Sequence, residues 1–123
     1  MIEREAGAEQ VHGIISATID RAAETICCFV TLTEVEYISL QEGGEQLARQ
    51  RMADLGKLPI QWIHSDSSLC SAAARLKATH RISFADAFVA ATAMQVDAVL
   101  VHRDPEFLPL SPPLKQLTLP PKQ

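Results

Sequence analysis

Apolar positions along the chain follow two rhythms that take turns. Val11, Ile14, Ile15, Thr18, Ile19 and Ala22 recur at helical spacing, which predicts an amphipathic helix from about Ala8 to Glu24. Gly13 weakens it slightly. Thr25-Ile-Cys-Cys-Phe-Val30 is a nearly continuous apolar run, the pattern of a strand covered on both faces. Thr31 and Thr33 open a second helix that runs to about Gln41. Gly43-Gly44 breaks it, and a charged helix follows from about Glu45 to Leu55, with Glu45 and Arg49 at i,i+4.

Pro59-Ile-Gln-Trp-Ile-His64 alternates as a strand does. Ser65 or Asp66 can cap the next helix, whose Leu69, Ala72, Ala73 and Leu76 form one apolar stripe. Ser83 caps a further helix from Phe84 to Gln95. Ala98-Val-Leu-Val-His102 reads as another buried strand, and Asp104-Pro105 turns the chain. Five of the seven prolines fall between Pro109 and Pro121 and bracket an edge strand at Lys115–Leu119. Strands that alternate with helices imply an α/β fold: a parallel sheet with helices on both faces.

The length, 123 residues, suits one domain spanning residues 1–123, and 47% hydrophobic residues suffice for a single core at that size. The net charge of −4 gives no electrostatic argument for tight nonspecific nucleic-acid binding, but leaves room for an enzyme that holds nucleic acid through bound cations. Cys27, Cys28 and Cys70 lack disulfide-framework or zinc-ligand spacing and read as buried, reduced thiols. The longest apolar run, Ile26–Val30, is too short to span a membrane. Met1-Ile-Glu-Arg-Glu5 has acids where a signal peptide has its apolar core, so a cytoplasmic location is expected.

Three acids look out of place. Asp86 is the only charge between Ile82 and Val96, a helix expected to be buried on most sides. Ser83-x-x-Asp86 can be a capping box, and an acid in the first turn suits the helix dipole. Glu34 and Glu36 are the only charges between Thr25 and Leu40. Thr31-x-x-Glu34 and Thr33-x-x-Glu36 both have capping-box form, yet only one can sit at the helix start; Glu36 is the one to face solvent. Asp104 has a local explanation as a turn residue. Together, however, the three can gather at one rim of a parallel sheet, where ligands bind in open α/β folds. Carboxylates of this kind suit hard cations such as Mg²⁺. Two such ions can activate water against a phosphodiester. His12, His64, His80 and His102 lack ligand spacing and read as surface or packing residues.

These segments resemble the PIN-domain family, and within it the VapC-type toxins. Thr31-Leu-Thr-Glu-Val-Glu-Tyr-Ile38 resembles the segment that supplies the second family acid, here Glu34. Arg81-Ile-Ser-Phe-Ala-Asp-Ala-Phe-Val-Ala-Ala-Thr-Ala93 resembles the segment with the third, Asp86, and Val99-Leu-Val-His-Arg-Asp-Pro-Glu-Phe107 the segment with the fourth, Asp104. The likeness runs from about Ala6 to Leu119. It implies a three-layer α/β/α fold, Mg²⁺ or Mn²⁺ held by Glu34, Asp86 and Asp104, and endoribonuclease activity. It also implies an RNA substrate, a cognate antitoxin and a homodimer.

Two departures stand out. The family opens with a central strand ending in Asp-x-Ser, whose Asp is the first metal ligand. Glu5-Ala-Gly-Ala-Glu9 resembles the region after it, so that strand is expected to be missing: either the coding start lies upstream, the favoured reading, or the flanking strands close directly on each other, or another chain supplies a strand or covers the gap. His102-Arg103 replaces a small hydroxylated residue and a small or polar one, and Arg103 could contact phosphate or pair with an acid. Thr31 and Arg103 are therefore supporting candidates. Two functions follow: a Mg²⁺-dependent ribonuclease, or a catalytically weak PIN-fold module that dimerises or engages an antitoxin. A phosphoryl-transfer receiver would also place acids at strand ends, but the order of the three segments fits it poorly.

Overall fold

The structure is a computed structural model that describes residues 25–102, 105–111 and 113–118. The helix expected over 8–24 and the expected absence of an opening strand fall outside these residues. The chain forms two compact units, one ending at His64 and the other beginning at Ser65.

In the first unit β1 (Thr25–Cys28), α1 (Val30–Gly56) and β2 (Ile60–Ile63) make a strand–helix–strand crossover. A parallel strand pair needs such a crossover, because a tight turn can join only antiparallel neighbours. The register runs from Thr25 opposite Ile60 to Cys28 opposite Ile63, and the Phe29 N–H extends it by donating to the Ile63 carbonyl at 2.9 Å. β1 stops two residues short of the apolar run, since Phe29 already has helical dihedrals (φ −54°, ψ −32°).

The two helices expected on either side of Gly43-Gly44 are one 27-residue element bent at Gly44. Gly44 has φ 79° and ψ −166°, a region that side chains with a Cβ essentially avoid. A Cβ on Gly43 would lie 2.5 Å from Leu47 Cδ2. The bend returns the second half of α1 to the first. Val35 and Leu55, both buried, pack together with Met52 and Leu58 against them. Arg51 Nη1 donates to Ser39 Oγ at 3.2 Å and to Glu42 Oε1 at 2.6 Å, and Ser39 Oγ donates to the Val35 carbonyl at 2.6 Å.

The second unit opens with α2 (Ser67–Thr79) and α3 (Phe84–Gln95). Asp66, not Ser65, caps α2: its Oδ1 accepts the Leu69 N–H at 2.7 Å. The expected stripe is buried at Leu69 and Ala73 and half-buried at Ala72 and Leu76. α3 offers Ala87, Ala90, Ala91 and Ala93 as its buried apolar side chains, small enough for close helix approach. Gln95 Nε2 donates to Ser68 Oγ at 2.9 Å, tying the end of α3 to the start of α2.

β3 (Leu100–His102) then pairs in parallel with β4 (Gln116–Thr118), the expected edge strand. The connection is a 3-10 turn over Pro105–Leu110, anchored by buried Phe107, Leu110 and Leu114. Gln116 Nε2 donates to the Phe107 carbonyl at 2.7 Å and to Ser111 Oγ at 2.6 Å, fixing this loop to β4. Among the described residues β1 pairs only with β2, and β3 only with β4. One thiol departs from expectation. Cys28 is buried and Cys27 half-buried, but Cys70 is exposed, because it lies off the Leu69–Ala73 stripe of α2. No helix among the described residues is long and apolar enough to cross a membrane.

Candidate acidic site

Glu34 is carried by α1, and the helix start settles which of its local explanations survives. The residue at the N-cap is Phe29, which makes no side-chain cap, and the first turn contains no acid. Thr31 and Thr33 therefore lie inside the helix, and neither Thr31-x-x-Glu34 nor Thr33-x-x-Glu36 acts as a capping box. The capping account of Glu34 is overturned: the helix begins earlier than the threonines because the backbone turns helical directly after β1. Glu34 is 6% exposed, whereas Glu36 faces solvent as expected. Thr31 is half-buried in the first turn.

Asp86 stands in the first turn of α3. Ser83 has the extended dihedrals of an N-cap (φ −65°, ψ 159°), and its Oγ accepts the Asp86 N–H at 3.1 Å. That half of the capping-box account holds. It leaves the side chain to be explained, because Asp86 is fully buried. Transfer of an ionised carboxylate out of water is costly unless hydrogen bonds, opposite charge or a metal compensate it. The positive end of the α3 dipole contributes some of that compensation. α3 is not buried on most sides at its start: Phe84 is 63% exposed, its ring 5.3 Å from that of Phe88.

Glu34 and Asp86 belong to different units. Asp104 and Arg103 lie outside the described residues. Among the described residues, no three His, Cys, Asp or Glu side chains form a group able to hold a metal ion. By donor type, buried carboxylates suit Mg²⁺ or Mn²⁺ rather than a thiolate-seeking ion. The Cys27 thiol is unreactive. Burial first, and the neighbouring Cys28 second, push the Cys27 thiol up to about 11, so it stays protonated at neutral pH. His80 is engaged structurally, with Nδ1 2.9 Å from Thr79 Oγ1 and 3.3 Å from the Leu76 carbonyl. Two features were not singled out from sequence: the exposure of Phe84, and half-buried Glu106 at the start of the 3-10 turn. The Glu106 signal was present, an acid two residues after Asp104.

The PIN domain family matches residues 1–110, and the chain belongs to that family. No curated protein matches it significantly. Among solved structures, the fold is similar to a chain of VapBC2 from Rickettsia felis bound to a DNA fragment from their promoter. The TM-score is 0.68 at 13% identity, covering 89% of this chain and 85% of that one. It is also similar to a chain of VapBC-1 from nontypeable Haemophilus influenzae, with TM-score 0.67 and 15% identity over 86% and 84% of the two chains. At such identities the likeness is one of fold.

Proposed function

We propose that the chain is a VapC-type endoribonuclease that hydrolyses RNA phosphodiesters with Mg²⁺ or Mn²⁺. In this reading it forms one catalytic domain over residues 1–123 and acts in the cytoplasm as a homodimer restrained by a protein antitoxin. The observation that carries the reading is the burial of Glu34 and Asp86, 6% and 0% exposed, in segments of sequence with few other charges, where capping does not account for the Glu34 side chain. PIN-family membership and the fold likeness to VapBC proteins support the class and the antitoxin partner.

Glu34, Asp86 and Asp104 would hold the metal. When bound, it supplies charge stabilisation at the phosphate and an acidified water. The chain's own part is to position oxygen donors and keep bulk water off them. Burial of Glu34 and Asp86 serves both ends. Thr31 and Arg103 would flank the donors.

The test measures Mg²⁺ and Mn²⁺ binding by calorimetry and RNA cleavage by gel, for the wild type and for Glu34→Gln, Asp86→Asn and Asp104→Asn. Metal-dependent cleavage that each variant abolishes is the expected result. A chain that binds antitoxin but neither metal overturns it in favour of a binding module.

A further inference from the structure

The chain is acidic overall, with eleven Lys and Arg against fifteen Asp and Glu, but its charges are not evenly spread. From Ser67 to Ala85 there is no acid at all, while Arg75, Lys77 and Arg81 all occur there. Each is exposed, and none is in an ion pair among the described residues. Lys77, in the last turn of α2, has an ordinary role beside the negative end of that helix. Arg81 does not share it. It lies in the turn between the helices, after the C-cap His80 and before the N-cap Ser83.

Three residues after Arg81 comes Phe84, the most exposed large apolar side chain among the described residues at 63%. A single exposed apolar side chain is ordinary. Phe84 differs in its setting. Its ring is braced by the half-buried Phe88 at a centroid distance of 5.3 Å and a tilt of 41°, so it is supported on one side while solvent reaches the other. It also stands two residues before buried Asp86, at the start of the same helix. A braced, exposed aromatic three residues from an exposed guanidinium that makes no ion pair among the described residues supplies the two groups that single-stranded nucleic acid uses: a base stacks on the ring and the cation meets a phosphate.

We infer that Arg81 and Phe84 form a single-stranded RNA contact at the α2–α3 turn, with Phe84 stacking one base and Arg81 holding a phosphate. Arg75 and Lys77 add local positive potential to a chain whose net charge would otherwise repel RNA. The inference rests on the ribonuclease reading for its biological meaning but not for its test, since binding needs neither metal nor cleavage.

The experiment is fluorescence anisotropy of a labelled single-stranded RNA of about 12 nucleotides, within the usual site-size range, with the full chain in EDTA. Phe84→Ala is expected to weaken binding about 5- to 100-fold, and Phe84→Trp to retain it and to show fluorescence quenching on RNA addition beyond that of Trp62 in the wild type. Arg81→Ala is expected to weaken binding and make the slope of log Kd against log salt shallower by roughly 0.7, the value for one phosphate on a single strand. Arg49→Ala removes an exposed cation from α1 and controls for net charge; it should leave RNA binding unchanged. Thermal melts of each variant separate lost contact from lost fold. If Phe84→Ala and Arg81→Ala bind RNA as the wild type does, the inference is overturned. It is equally overturned if they bind RNA normally and lose affinity for a poly-glutamate peptide, which would make the turn a protein-docking site. RNA binding that follows the expected pattern in a chain that never cleaves would keep this inference and sink the ribonuclease reading.

Discussion

Two helices carry a buried acid, and they begin in opposite ways. α3 begins at a marked boundary: Ser83 is extended and its hydroxyl caps the Asp86 N–H. α1 begins unmarked. Phe29 is already helical, caps nothing, and continues from β1 without an intervening loop. A capped start is written in the side chains that make it. An uncapped one is set by the surroundings, here by pairing of β1 with β2 up to the Phe29–Ile63 hydrogen bond. The difference also separates the acids. Asp86 has a neighbour that explains its position in the helix, while Glu34 lies beyond the first turn, where an acid gains little from the helix dipole.

The sharpest way to break this comparison is to neutralise each acid at constant shape. Asp86→Asn and Glu34→Gln should each lower metal-dependent RNA cleavage by at least about a hundredfold, since even residues that only support ligands are worth roughly 10- to 100-fold. If one variant cleaves normally, that acid is structural and the two settings differ in function as well as in origin. Next in size is the bend of α1. Gly44→Ala should cost about 1–3 kcal/mol in urea unfolding, because its dihedrals exclude a Cβ. A cost near zero would mean that α1 straightens without penalty.

The capping contrast itself gives a smaller effect. Ser83→Ala should cost about 1 kcal/mol, whereas Thr33→Ala, exposed and inside α1, should stay within about 0.5 kcal/mol. Equal losses would restore the threonine as a cap. Smallest is a pH effect in the first unit. The Cys27 thiol ionises near 11 in the folded protein against an ordinary 9.0. Between those values the unfolded chain gives up its proton and the folded one does not. Stability is therefore intact below about pH 9 and declines as the pH rises towards 11. Cys27→Ala should flatten that part of a thermal-melt series across pH. A decline of unchanged slope would assign it to other groups.

Much of the fold was legible because its boundaries are chemical. Asp66 and Ser83 can be read as caps directly, and α3 runs over the residues its pattern predicted. The β strands follow from short apolar runs, though β1 is shorter than its run because apolar character does not say where a strand yields to a helix. Merging of the two expected helices into one bent α1 was not legible. Gly43-Gly44 signals a break, but whether the axis stops or bends depends on contacts such as Val35 with Leu55. Burial of Glu34 and Asp86 was legible as isolated charge in apolar segments. Exposure of Phe84 was not, since an apolar residue in an apolar helix carries no sign of the one position left open. Exposure of Cys70 escaped for the same reason.

The bend at Gly44 also bears on the order in which the molecule assembles. A straight helix of 27 residues would extend about 40 Å and touch nothing of itself. Bent, it closes contacts between residues only 9 to 20 positions apart: Glu42 with Arg51, Ser39 with Arg51, Val35 with Leu55. Such short loops cost little entropy to close and favour fast formation. The element that carries Glu34 can thus acquire its shape as a local hairpin, before β1 finds β2 across the 34 residues that separate Thr25 from Ile60.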